Sequence, residues 1–149
     1  MDSESDTITA RGVMKQNQFI RWQLPVVLYA LFILFLTSYP RLEIPDVGFS
    51  WDDKIYHFGA YGIFGLLLAR ATTQYSPEKW RKGIFIASCI GIVFGIFDEL
   101  HQSVIPGRYT ELADLAADIS GILAAQVTFL LLANYFSKKS HVHTNPVDG

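Results

Sequence analysis

Three short polar clusters interrupt otherwise apolar sequence: Asp52-Asp53-Lys54 with His57, Asp98-Glu99 with His101, Gln102 and Arg108, and Glu111 with Asp114 and Asp118. These residue types suit proton transfer and cation holding. An imidazole titrates near neutrality, so His57 can act as general acid or base. Carboxylates such as Asp98, Glu99 and Asp118 can orient that ring, or hold a hard divalent cation such as Mg²⁺ through oxygen. Arg108 and Lys54 can grip a phosphate or carboxylate, arginine through its planar fork. His57, Asp98, Glu99 and Asp118 are therefore the candidate catalytic residues. Lys54, Tyr61, His101, Gln102, Arg108 and Asp114 are the candidate substrate-binding ones. No particular metal is fixed by these types.

Spacing groups the clusters. Asp53, His57 and Tyr61 recur at i, i+4 and i+8 and share one helix face. Asp98, His101 and Gln102 share a second face. Asp114, Asp118, Gly121 and Ala125 form a third, whose small residues admit a close neighbour. At 1.5 Å of rise per residue, His57, Asp98 and Asp114 fall about 6–9 Å from the helix ends on the same side. Tyr61 and Asp118 fall about 12 Å down. Three helices thus bring polar groups to one shallow layer. Asp98 and Glu99 close a helix, where the macrodipole is negative, and so need a cation nearby: Arg108, Lys54, a protonated histidine or a metal. Glu111 reads as a helix-start residue with Thr110 as its N-cap. The competing structural reading is a salt-bridged plug, although buried ion pairs add little stability. His141 and His143 lie in the polar tail, outside the clusters.

The elements that must position these residues are apolar stretches at about 22–39, 55–71, 83–104 and 112–136 of the 149-residue chain. Spanning a bilayer takes about 20 apolar helical residues, and lipid cannot satisfy an open backbone. The expected fold is all-α: a polytopic integral membrane protein of four transmembrane helices in an antiparallel bundle. Residues 1–18 and 138–149 read as polar tails flanking a 19–137 domain, the second tail disordered. Arg11, Lys15, Arg21, Arg70, Lys79, Arg81, Lys82, Lys138 and Lys139 lie on one side, against Arg41, Lys54 and Arg108 on the other. That imbalance predicts both termini in the cytoplasm and the polar layer facing outward. Trp22 and Trp80 mark the inner interface, Tyr39 and Trp51 the outer. Pro45, Gly48, Ser76-Pro77 and Pro106-Gly107 mark turns. The acidic leader and Ser38-Tyr39-Pro40 argue against a cleaved secretory signal. The single Cys89 excludes an internal disulfide and reads as a small packing residue. No basic stripe with interleaved aromatics points to nucleic acid. Gly59, Gly62, Gly65, Gly91 and Gly95 offer close helix contacts, through which a homo-oligomer can form.

The run Asp53-Lys54-x-x-His57-Phe58-x-x-Tyr61 resembles the first signature of the VanZ-like membrane proteins. Asp98-Glu99-x-His101-Gln102, then Pro106-Gly107-Arg108 and Asp114 and Asp118 ahead of Gly121, resembles the second. The resemblance covers roughly residues 20–137. Relatives often carry Asn near Asp118 or Ser120, and here the stretch reads Ala117-Asp118-Ile119-Ser120. The resemblance implies a small bacterial plasma-membrane protein; the namesake is associated with low-level resistance to the glycopeptide antibiotic teicoplanin.

Three functions compete. The first is handling of an amphiphilic or lipid-linked envelope molecule at the outer leaflet, with a contribution to glycopeptide resistance as the resemblance implies. The second is a binding or shielding protein without chemistry. The third is an ion-coupled transporter, disfavoured because polarity thins below Tyr61 and Asp118, where only Ser88 and Gln126 continue it.

Overall fold

The computed structural model describes residues 17–40, 52–74, 80–108 and 110–143, with side chains through residue 136. Expectations for Arg11, Lys15, Arg41, Pro45, Gly48, Trp51, Ser76, Pro77, Lys79, the lysine side chains at 138 and 139, and residues 1–16 and 144–149 lie outside the described residues. Within them the chain is all-helical, without strands. The helices are α1 (17–22), α2 (Leu24–Thr37), α3 (Asp52–Thr73), α4 (Trp80–Gln102) and α5 (Leu112–His143). α4 and the Leu112–Phe136 part of α5 are long and apolar enough to cross a membrane.

α1 and α2 form nearly one rod. Gln23 N–H donates to Phe19 O and Val27 N–H to Gln23 O, so the i→i−4 ladder runs through the join. The interruption comes from Pro25, which has no N–H to give the carbonyl four residues back. That carbonyl belongs to Arg21, and Arg70 of α3 supplies the missing donor at 3.2 Å. The Arg70 guanidinium also lies 4.5 Å from the Trp22 ring centroid, a cation–π contact.

Contacts fix the directions of the helices. Arg21–Arg70 and Tyr29–Ala60 run in opposite order, so α2 and α3 are antiparallel. Tyr61–Asp98 and Thr73–Gly83 make α3 and α4 antiparallel, and Ser88–Gln126 with Glu99–Glu111 do the same for α4 and α5. The α4–α5 connection contains a type II turn. Pro106 and Gly107 are its central residues, Gly107 has φ 86°, and Arg108 N–H donates to Ile105 O at 3.1 Å.

α3 and α5 make the most extensive contact, and glycine makes it close. A Cβ on Gly121 would collide with Phe58 O and lie 3.0 Å from Gly62 N. A Cβ on Gly65 would lie 2.9 Å from Ile122 Cα. Gly62, Gly65, Gly91 and Gly121 are thus used inside the bundle, while Gly59 meets open space. Ile33, Tyr61, Phe64, Leu68, Ala87 and Ile122 form the core. The buried α4 face carries Ala87, Gly91 and Gly95 at i+4 spacing, which leaves Cys89 exposed instead of packed inside.

Two expectations need correction. α5 continues to His143, beyond the boundary expected at residue 137. Its sequence there holds no helix breaker until Pro146, and a proline disfavours helix in the residue before it. Thr110 does not cap α5 with its hydroxyl, which donates to Glu99 O at 3.1 Å. Glu111 stands at the cap position, its carbonyl accepting Asp114 N–H at 3.0 Å.

Polarity is inverted relative to a soluble fold. Asp98, Glu99, Gln102, Asp114, Asp118 and Gln126 are buried, whereas Phe35, Phe85, Val93 and Leu131 are exposed. Apolar outer surface on this scale marks contact with lipid or with a partner.

Candidate functional site

The close α3–α5 contact brings His57 against Asp118. His57 adjoins Phe58, and Asp118 lies about one turn from Gly121, where the backbones nearly touch. His57 Nδ1 lies 2.9 Å from Asp118 Oδ1, and Asp118 is fully buried. With Asp118 ionised, the carboxylate only accepts, and the ring proton on Nδ1 donates to it. In the neutral ring that leaves the Nε2 lone pair free for another partner.

Asp98 does a different job. It is fully buried and accepts from Thr37 Oγ1 at 2.7 Å, Tyr61 OH at 2.9 Å and Gln102 Nε2 at 3.2 Å. Three neutral donors from α2, α3 and its own helix supply what a cation was expected to supply. Asp98 thereby ties three helices together at the level of the layer. Gln102 belongs to this scaffold, and Tyr61 stacks on His57 with ring centroids 6.5 Å apart.

Glu99 solves the same macrodipole problem through a neighbouring helix. Its Oε2 accepts Glu111 N–H at 3.3 Å, at the start of α5, where negative charge is favoured. Its Oε1 is buried and has no hydrogen-bond partner, and neither has Asp118 Oδ2. Lys54 gathers the rim: its Nζ is 2.5 Å from Asp53, 2.7 Å from Glu111 and 2.6 Å from Asp114 Oδ1.

Arg108 pairs with main chain. It donates to Leu36 O at 3.2 Å and Tyr39 O at 3.4 Å, carbonyls at the end of α2, the first of which also accepts Tyr39 N–H at 3.2 Å. A guanidinium has five N–H donors, so these bonds leave donors over. His101 stands apart from the α3–α5 group, on the α2 side. Its Nε2 is 3.5 Å from Ser38 Oγ, and its ring stacks on Phe97.

Among the described residues, two sets of side chains could hold a cation. His57, Glu99 and Asp114 each offer one ligating atom within 4.8 Å of the others, and so do Asp53, Glu111 and Asp114. The second set already surrounds the Lys54 ammonium. Beside the first set, a cleft of about 100 Å³ opens between α2 and α3, lined by Ile33, Leu36, Thr37, Tyr56, His57, Ala60, Tyr61 and Arg108. Its walls are apolar, and His57, Thr37 and Arg108 provide the polar end.

Sequence reasoning missed Thr37. A lone threonine near the end of an apolar helix carries no periodic signal, though its helical position matches the depth of the layer.

No curated protein and no solved structure matches the chain at a significant level. The family model described as VanZ/LLP1 matches residues 19–133. With two helices able to cross a membrane and an apolar exterior around buried acids, the match points to a membrane protein. The chain belongs to the VanZ/LLP1 family.

Proposed function

We propose that this protein is a multi-pass bacterial plasma-membrane protein that binds the head end of an amphiphilic or lipid-linked envelope molecule at the outer leaflet. In this reading α2 and α3 cross the bilayer along with α4 and α5. Both termini lie in the cytoplasm, which puts the Arg21–Trp22–Arg70 cluster on the inner side, as the distribution of basic residues favours.

The observation that carries the reading is the cleft between α2 and α3. Its lining is mostly apolar, and it includes His57 and Arg108, which has donors to spare. Drug-sized ligands need pockets of about 300 Å³ or more. A cleft of about 100 Å³ takes only the end of an amphiphile, with acyl chains left along the outer helix surfaces. Arg108 suits a phosphate or carboxylate there, and His57, oriented by Asp118, offers Nε2 to the bound group for acid–base work or as a ligand. Transport is disfavoured: below the layer stand Phe64, Leu68, Phe94 and Ile122, and the Ser88–Gln126 pair is their isolated polar interruption.

His57→Ala and Glu99→Gln are expected to abolish function while membrane levels stay normal. The readouts are lipid extracts of deletion and overexpressing strains by mass spectrometry, and susceptibility to teicoplanin-type glycopeptides. A lipid species gained or lost with the wild type, and not with either variant, supports chemistry on an amphiphile. Protection that weakens gradually, with no lipid change, supports a shielding protein. Full function in both variants would remove the site.

A further inference from the structure

We infer that His57, Glu99 and Asp114 form a binding site for one divalent first-row transition ion of the Mn²⁺ or Zn²⁺ type, with Asp118 positioning the histidine. The inference rests on the polar layer being the working site and names what that layer holds.

Charge balance motivates it. Asp98, Glu99, Asp114 and Asp118 are all buried, with relative exposures of 0, 3, 8 and 0 %. Lys54 is the one lysine or arginine within salt-bridge distance of any of them among the described residues, and it also serves Asp53 and Glu111. Arg108, the other cation expected to neutralise these acids, is spent in part on carbonyls. Three neutral donors satisfy Asp98, but among the described residues Glu99, Asp114 and Asp118 have only Lys54, on Asp114, and His57, on Asp118. Buried charge without a counterpart is costly, so the layer is short of positive charge.

Geometry says where the charge goes. Ligating atoms of His57, Glu99 and Asp114 already lie within 4.8 Å of one another. Metal–ligand distances of about 2.0–2.2 Å require them to close in by about 1 Å. Glu99 is 97 % buried, and its Oε1 has no hydrogen-bond partner. One Asp114 oxygen faces Lys54, which leaves the other for an ion. The His57–Asp118 bond is the carboxylate–histidine arrangement that fixes ring orientation in metal sites and raises ligand basicity. A nitrogen donor beside two carboxylates favours Mn²⁺ or Zn²⁺ over Mg²⁺ or Ca²⁺. Three protein ligands also leave coordination positions open to an oxygen of a bound anionic head group.

The test uses the full chain purified in detergent, stripped with chelator and titrated with Mn²⁺, Zn²⁺ and Mg²⁺. Metal content is read by mass spectrometry and Mn²⁺ surroundings by pulsed electron paramagnetic resonance. Expected are one Mn²⁺ per chain, a nitrogen coupling from the imidazole, and displacement by Zn²⁺ but not by equal Mg²⁺. His57→Ala should abolish the nitrogen coupling, and Glu99→Gln and Asp114→Asn should each weaken binding at least tenfold. Asp118→Asn should weaken it about 10- to 100-fold, and Asp53→Asn, in the rim set, should leave it unchanged. If His57→Ala fails to fold, the near-isosteric Glu99→Gln and Asp114→Asn carry the test. Substoichiometric Mn²⁺, nitrogen coupling that survives His57→Ala, or equal losses from Asp53→Asn and Asp114→Asn would overturn the site. An ion bound as expected with neither a lipid change on deletion nor any change in glycopeptide susceptibility keeps the metal site and removes the amphiphile reading. A lipid change with no ion bound removes the metal site alone.

Discussion

Among individual residues, Asp98 shows how an acid is kept inside a bundle without a salt bridge. Each of its three donors uses a lone pair that water would otherwise fill. Removing one donor leaves a buried acceptor partly unsatisfied, at about 1–3 kcal/mol. Tyr61→Phe and Thr37→Val should therefore each lower the thermal unfolding temperature in detergent, with metal stoichiometry retained, because neither residue is among the proposed ligands. Equal stability of Tyr61→Phe and wild type would show that the Asp98 network is not structural. The i, i+4 stripes made the His57–Asp118 pairing readable in outline, since period fixes a helix face. The division of labour among the acids was not readable. Asp98 and Glu99 are adjacent in sequence and point to different helices, and their partners include a threonine hydroxyl and a backbone N–H. The main-chain partners of Arg108 were hidden for the same reason: carbonyls at a helix end carry no signature in residue type.

For helices, spacing between α3 and α5 sets whether His57 reaches Asp118. Gly121→Ala places a methyl group against Phe58 O and Gly62 N and must push the helices apart. Overpacking of this kind costs about 1–3 kcal/mol. Gly59→Ala meets open space and should be neutral, although both positions look alike in sequence. Paired unfolding curves in one detergent check the contrast. Gly107→Ala forces a side chain into the left-handed region, at about 1–2 kcal/mol. It should destabilise through the turn that delivers Arg108 to α2, which the same unfolding curves measure. The four apolar stretches were visible from hydropathy because each ends in charge or proline. The run of α5 to His143 was not, since polar composition at 137–143 resembles a tail while containing nothing that stops a helix.

For the whole molecule, an apolar exterior around buried acids asks for a surrounding bilayer, and orientation is the next quantity to measure. In a Cys89→Ser background, a cysteine placed at exposed Ser103 should react with a membrane-impermeant maleimide in intact cells. Labelling only after the membrane is opened would invert the proposed topology. The two helices long and apolar enough to cross a membrane were legible because hydropathy adds up along the chain. Closeness of approach was not, because it depends on which glycines meet. The attachment of α2 has one more consequence. At its start Arg70 grasps the oxygen of Arg21, and at its finish Arg108 grasps those of Leu36 and Tyr39. Every one of these acceptors is peptide, identical whatever side chain is present. The segment is moored through its backbone, so its own outward residues can be exchanged without casting it loose as long as Arg70 and Arg108 remain.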